Sequence, residues 1–294
     1  MSQSKLNWQS KLVLLLVLPF TAAGLVLQTH WWATQSPNVA IWTIGLSLLL
    51  ALIVFKLRAA TLPGALTGGV ISASLMFSTV TFPYVPWQTA LPPLLAVSLL
   101  AWFATRIGRE KKEQLGTAEP RHGRSAAQVA ANLGLAAIVS YQLTQSWLID
   151  SHWFPHSPLA PMSGFALGIA ALAEAAADTV SSEIGQVLGG RPRMITNLRS
   201  VDPGADGAIS LAGTGAGVVA AGVVAGIGAL ALRAGLTFFW ISSAAAVFGL
   251  LFDSLLGATL ERRGWLNNDL VNFLSTCSAA AFALALLAFL PRLR

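Results

Sequence analysis

The sequence predicts an all-α, polytopic membrane protein of about nine (eight to nine) transmembrane helices with a cytoplasmic amino terminus. Three observations carry this expectation. The 294 residues are 55% hydrophobic and only 10% charged, where a soluble domain carries about 25% charge. Mean hydropathy is +0.67. The apolar residues are gathered into runs near the roughly 20-residue length that crosses a bilayer.

Taken in order, the candidate spans are 11–28, 38–55, 62–80, 88–106, 125–144, 160–182, 207–232, 235–258 and 270–290. Residues 1–23 have the layout of a signal peptide, but the apolar run that follows closely favours a retained span. The third span, rich in Gly and Ser, is the weakest and has a re-entrant character. Residues 1–105 read as amino-terminal spans and 106–294 as a motif-bearing core, together one membrane domain.

Charge orients these spans. Lys5 and Lys11 precede or open span one. Lys56 and Arg58 follow span two. Arg106, Arg109, Lys111, Lys112, Arg121 and Arg124 lie between spans four and five. Arg191, Arg193 and Arg199 follow span six, and Arg262 and Arg263 follow span eight. Fifteen of the 18 Lys and Arg residues thus fall on one side, and the opposite loops 29–37, 81–87 and 145–159 have none. The positive-inside rule makes the basic side cytoplasmic. Arg233, Arg292 and Arg294 are the exceptions. The formal charge of +6 is therefore explained by loops, and no nucleic-acid partner is expected.

Other residue types exclude further chemistry. Cys277 is the only cysteine, so there is neither an intramolecular disulfide nor a cysteine metal cluster, and its apolar run makes it a packed thiol. Trp8, Trp31, Trp32, Trp87, Trp147, Trp153 and Trp265 lie near span ends, as an interfacial belt does. His152 and His156 have a helical metal-ligand spacing, but Pro155 and Pro158 argue for an outer loop instead.

Within the apolar runs, polar residues recur at fixed spacing. Arg124, Gln128 and Asn132 are four apart and share a face at the start of span five. Glu174, Asp178 and Ser182 form a second stripe near the end of span six, and Asp253, Gly257 and Glu261 a third in span eight. Asn267, Asn268, Asp269, Asn272, Ser275 and Thr276 open span nine. A carboxylate at the bilayer centre costs roughly 2.5–3.5 kcal/mol on insertion scales, so Asp178 and Asp253 are candidate functional groups. Gln128 or Ser275 alone reads equally well as glue between helices. Glu183 is a further candidate, although five residues from Asp178 is about 140° around a helix. The topology puts all four clusters at one membrane face.

The loop 189–207 links two clusters. Arg191, Arg193 and Arg199 supply charge, and Asp202 to Gly207 read as tight turns into a helix. Backbone N–H groups at a helix start beside arginines suit phosphate. Two carboxylates opposite such a loop suit Mg²⁺, which takes one or two carboxylates plus phosphate oxygens. Gly213, Gly217, Gly222 and Gly226 in span seven predict close helix packing. GTGAG at 213–217 lacks the βαβ setting of a dinucleotide fingerprint.

ADTVSSEIG, PGADGAIS, the Arg124–Asn132 stretch RxxxQVxAN, FDSLLGATLERRG and NNDLVNFLST resemble the membrane family of human transmembrane protein 19, whose plant chloroplast members are phytyl-phosphate kinases of tocopherol synthesis. The resemblance covers about residues 106–290. It departs at Val180, where Trp is usual, and around Ala205-Asp206, where Ser or Thr with Asn is usual. It implies an integral-membrane phosphotransferase passing phosphate from a nucleotide such as CTP to an isoprenoid monophosphate at the cytoplasmic face of a bacterial inner membrane or an equivalent organelle membrane.

On that reading Asp178 and Asp253 hold Mg²⁺, with Glu183 and Asn132 beside them in the catalytic set. Arg124, Gln128, Arg191, Arg193, Arg199, Asp206, Gly207 and Asn272 bind nucleotide or phosphate. The competing reading is an ion-coupled transporter, which also uses intramembrane carboxylates and Gly-rich spans but places them at the midplane. A purely structural role leaves Asp178 and Asp253 unexplained.

Overall fold

The computed structural model describes residues 7–119, 122–150 and 160–289. Arg121, Trp153, the His152 and His156 loop and the basic tail at Arg292 and Arg294 lie outside the described residues. Eleven α-helices appear among the described residues: α1 (Asn7–Gln35), α2 (Pro37–Lys56), α3 (Leu62–Ser78), α4 (Leu91–Arg106), α5 (Arg109–Leu115), α6 (Ala126–Ser140), α7 (Gln142–Asp150), α8 (Ala160–Leu188), α9 (Leu211–Ala231), α10 (Gly235–Leu256) and α11 (Asn268–Phe289). Nine of them occupy the nine predicted spans.

Six are long and apolar enough to cross a membrane alone. α4 with α5 and α6 with α7 form two bent pairs, at 68° and 63°. The bends have local causes. The extended backbone of Ile107 ends α4 and Gly108, at a left-handed φ of 61°, opens α5, and the extended backbone of Tyr141 ends α6. α3, the weakest predicted span, is also the short one, at 17 residues.

α8 is the axis of the bundle. It packs on α9, α10, α11, α6 and α4, and its side chains from Ala166 to Ala177 are nearly all buried. Alanine and glycine predominate there because small residues let helix backbones approach, which gives dispersion contacts where lipid removes the hydrophobic drive. α1 belongs to the same core. Val13 and Val17 are fully buried, and Val17 fills the space a side chain on Gly134 of α6 would need. Trp8, Trp31, Trp87, Trp147 and Trp265 are exposed, as a belt requires.

The sequence predicted tight turns running into a helix at 207. The structure instead closes that loop with a small antiparallel ribbon, β1 (Arg193–Met194) paired with β2 (Ala208–Ile209), and starts α9 four residues later. Ser210 caps α9 by accepting from the backbone N–H of Gly213 at 3.1 Å.

Loop contacts tie the ends of these helices together. Arg124 pairs with Ala59 and Thr61 through backbone hydrogen bonds of 3.0 Å each. Lys111 donates to the Val187 carbonyl at 2.7 Å. Gln9 donates to the Trp265 carbonyl at 2.8 Å, and Ser10 to Asp269 at 2.5 Å. The basic loops predicted to share one face lie at one end of the bundle.

Candidate phosphate and metal site at the basic end

The candidate site grows from α8 and α10. Asp178 on α8 and Asp253 on α10 bring their carboxyl groups into hydrogen-bonding reach of each other. Both are partly exposed, whereas Glu174, one turn deeper on α8, is 1% exposed. Ser275 of α11 is within hydrogen-bonding reach of both Glu174 and Asp253. Gly249 admits the Glu174 side chain, since a Cβ there would lie 2.6 Å from Glu174 Cγ.

Two carboxylates this close favour a proton or a cation between them. Among the described residues no group of three or more His, Cys, Asp or Glu side chains is arranged to hold a metal ion. A pair is nonetheless what Mg²⁺ uses when substrate phosphates complete its shell. Asp253 Oδ2 and Glu174 Oε1 are buried without a hydrogen-bond partner, so the acidic pocket has coordinating capacity left over. The residues present fit a divalent cation on Asp178 and Asp253.

Arg124 supplies the opposing charge. Gly123 makes its placement possible: at a φ of 83°, it lies so close to the α2–α3 connection that a Cβ would be 2.5 Å from Ala60 N. The Arg124 guanidinium donates to Thr179 Oγ1 at 3.2 Å and acts electrostatically on Asp178. Asn272 Nδ2 donates to Asn132 Oδ1 at 3.3 Å, and Asn132 Nδ2 donates to the Gln128 carbonyl at 2.9 Å. Asn132 and Asn272 are therefore one paired unit joining α6 to α11.

Gln128, predicted as a phosphate contact, has a structural task in this fold. It completes a capping box with Ser125: its Oε1 accepts from Ser125 N at 2.7 Å and its own N–H donates to Ser125 Oγ at 3.2 Å. Glu183 likewise turns away from the pair. It accepts from Lys112 Nζ at 2.5 Å, an ion pair with side-chain exposures of 1% and 8%, as the angular offset from Asp178 requires. Gly207 serves as a close-packing position. At a φ of 74° its added Cβ would lie 2.3 Å from Ala258 N. That approach presses the ribbon loop onto residues Gly257–Glu261, which wind as a single π-helical turn.

The π turn and the loop bring Glu261 within electrostatic range of both Asp206 and Asp178. The Asp206 carboxyl is pushed up by burial, and Arg262 beside it pulls it partly back. Arg191 and Arg262 line a polar surface pocket with Ser200, Asp202 and Ala205. Arg193 and Arg199 are exposed outside that pocket. Asn267 and Asp269 fasten α11 to α1 through Ser10.

Sequence reasoning assigned no role here to Glu119, Lys112 and Arg262. Lys112 is a basic loop residue by pattern, and nothing in its spacing signals burial. A cavity of about 580 Å³ also opens beside the carboxylates, between α2, α3, α4 and α6, with Arg58, Arg106, Arg109 and Arg124 among its lining.

Residues 45–280 match the family model described as "Integral membrane protein DUF92". An uncharacterized membrane protein of Methanocaldococcus jannaschii is 36% identical over 183 residues, covering 62% of this chain and 70% of the relative. An uncharacterized membrane protein of Synechocystis is 33% identical over 204 residues, covering 66% and 72%. The chloroplastic protein VTE6 of Arabidopsis thaliana is 26% identical over 242 residues, covering 81% and 70%. No solved structure matches.

Proposed function

The chain belongs to the DUF92 family of integral membrane proteins, and from that premise we propose that it is a phosphotransferase of the prenyl-phosphate kinase type. The donor is a nucleoside triphosphate such as CTP and the acceptor an isoprenoid monophosphate, used at the cytoplasmic face. The similarity to a chloroplastic relative and the motif resemblance to phytyl-phosphate kinases support this reading. The observation that carries it is the approach of Asp178 on α8 to Asp253 on α10, beside Arg124.

Phosphoryl transfer asks a protein mainly to position two phosphates and neutralise their charge. Asp178 and Asp253 are the groups to hold Mg²⁺, which supplies that neutralisation when bound. Arg191 and Arg262 bind the donor phosphates. Arg124 orients the acceptor phosphate, and the Asn132–Asn272 pair holds α6 and α11 in register around it. An acceptor oxygen attacks the terminal phosphorus, the bond to the bridging oxygen breaks, and the nucleoside diphosphate leaves. An ion-coupled carrier fits less well, because the polar groups gather at one end of the bundle where a carrier needs them at the midplane.

The test uses the purified full chain in nanodiscs with Mg²⁺, terminally labelled CTP and other nucleoside triphosphates, and a set of prenyl monophosphates. Labelled prenyl diphosphate is the expected product. No transfer from any donor to any acceptor, by protein that remains folded, overturns the reading.

A further inference from the structure

The cavity between α2, α3, α4 and α6 has two chemically different parts. Its walls are apolar, from Leu50 to Leu57 on one side and from Leu94 to Trp102 on the other. Its floor on α3 is made of small residues, Gly64, Ala65, Gly68 and Ser72. α2 and α4 share little contact, so the walls stand apart. Ile53, Leu57, Leu95 and Leu99 are exposed along them, which leaves a lateral opening toward lipid.

The other end is cationic. Arg58, Arg106, Arg109 and Arg124 line it with one acid, Glu119, and Arg109 is also paired at 3.0 Å with Glu113 outside the lining. The Arg106 guanidinium lies 3.9 Å above the Trp102 ring, and Trp102 Nε1 is buried without a partner. Asn132 and Ala175 line the same cavity, so the cationic end adjoins the Asp178 carboxylate across Arg124. From Leu94 to Arg106 the α4 wall rises about 18 Å at 1.5 Å per residue. That exceeds half of the roughly 30 Å hydrocarbon core, so an occupant reaches from the headgroup level to the midplane.

We propose that this groove seats the acceptor as a single-chain isoprenoid monophosphate, with its phosphate on Arg58, Arg106 and Arg109, oriented by Arg124 toward the carboxylate pair, and its chain along α4 toward Leu94. The inference rests on the proposed phosphotransfer and adds the acceptor's location and a basis for chain-length choice. An anionic head and one apolar chain match the charge at one end and the apolar walls beyond it. Arginine forks suit a phosphate in particular, because two N–H groups meet two oxygens. The carboxylate pair then stands beside the phosphate end only, so the chain makes no demand on it.

Binding is measured without nucleotide, on the full chain in nanodiscs, with labelled prenyl monophosphates of increasing chain length. Gly68→Leu fills the floor without a backbone clash, since a Cβ there meets only Val129 Cγ1, at 3.7 Å. It should weaken the longest ligand about tenfold, the worth of roughly two buried methylenes, and leave the shortest unchanged. Ser98→Phe, from the α4 wall, should do the same and serves if Gly68→Leu fails to fold. Arg106→Ala should weaken all lengths by a common factor of about tenfold or more, the scale of a charged hydrogen bond.

An unchanged chain-length profile in folded groove-filling variants overturns the inference. So does two-chain phosphatidic acid competing as well as the prenyl phosphate, which assigns the groove to bilayer lipid. Length-dependent binding without any transfer overturns the kinase reading and leaves the groove assignment standing. Normal transfer that ignores both fillings overturns the groove assignment alone.

Discussion

Lys112 Nζ sits 2.5 Å from Glu183 Oε2, with both side chains almost fully buried. The same ammonium donates to the carbonyls of Ala104 at 2.9 Å and Thr105 at 3.0 Å. One lysine therefore closes the carboxyl-terminal end of α4, ties α5 to α8 and neutralises a carboxylate. Lys112→Met should destabilise the protein by about 3–5 kcal/mol, because it leaves Glu183 buried alone. Lys112→Met with Glu183→Leu should recover most of that loss in a thermal melt. If the double variant recovers stability but not transfer, Glu183 has a chemical task beyond this pairing.

Asp178→Asn and Asp253→Asn each exchange a charge for an amide of nearly equal size. Each should lower Mg²⁺-dependent transfer about 10²–10³-fold, the scale for one preorganised electrostatic contact, with the melt unchanged. Full turnover at limiting Mg²⁺ in either variant removes that residue from the metal site.

Gly207→Ala meets both a left-handed φ and the backbone of Ala258. A cost of about 1–3 kcal/mol is expected, read as a drop of several degrees in the melting temperature. Gly190→Ala, whose φ is 62° with open space around it, should lose less, which separates the steric part from the backbone strain.

Burial raises the Asp206 carboxyl above its ordinary value of 3.8. The folded chain then holds that proton more tightly than the unfolded chain. The resulting contribution to stability is full below the ordinary value and is lost as pH rises through the raised one. Asp206→Asn should flatten that part of the stability–pH profile, and Arg262→Ala should move it to higher pH. An unchanged profile in Asp206→Asn shows that other groups produce it.

Single cysteines in loops 107–123, 189–206 and 259–268, on a Cys277→Ser background, should react with an impermeant thiol reagent only after the membrane is opened. Labelling of the 189–206 loop in intact cells contradicts a cytoplasmic basic end.

The helices were legible because apolar length and basic loops are properties of single segments. The spacing of Asp178 and Asp253 also marked them, since carboxylates are costly in a bilayer. Other features depend on tertiary partners. Gln128 looked like a polar face residue, and only the extended backbone at Ser125 turns it into a cap. Lys112 looked like a surface charge until Glu183 came round α8 to meet it. The two-residue ribbon is too short for any periodicity, and the π turn at Gly257 lies against Gly207, a neighbour no local pattern reveals. The groove was invisible for the same reason: its cationic end draws Arg58 from one loop and Arg106, Arg109 and Arg124 from another.

The tight contact between α8 and α9 has a mechanical consequence. A Cβ on Gly213, Gly217 or Gly228 would fall within 3 Å of Ser181 O, Ala177 O or Ile169 Cγ2, respectively, so α9 grips α8 over four turns. A helix held that closely can neither roll nor slide without breaking contact along the whole seam. It acts as a stator, and the acidic groups it carries keep a fixed address. Compliance is left to α2, which shares little or no packing with α8 or α9 and stands apart from α4. On the proposed reading, an acceptor that enters beside α2 pushes on a helix that carries no carboxylate, and the geometry that would do the chemistry stays in place.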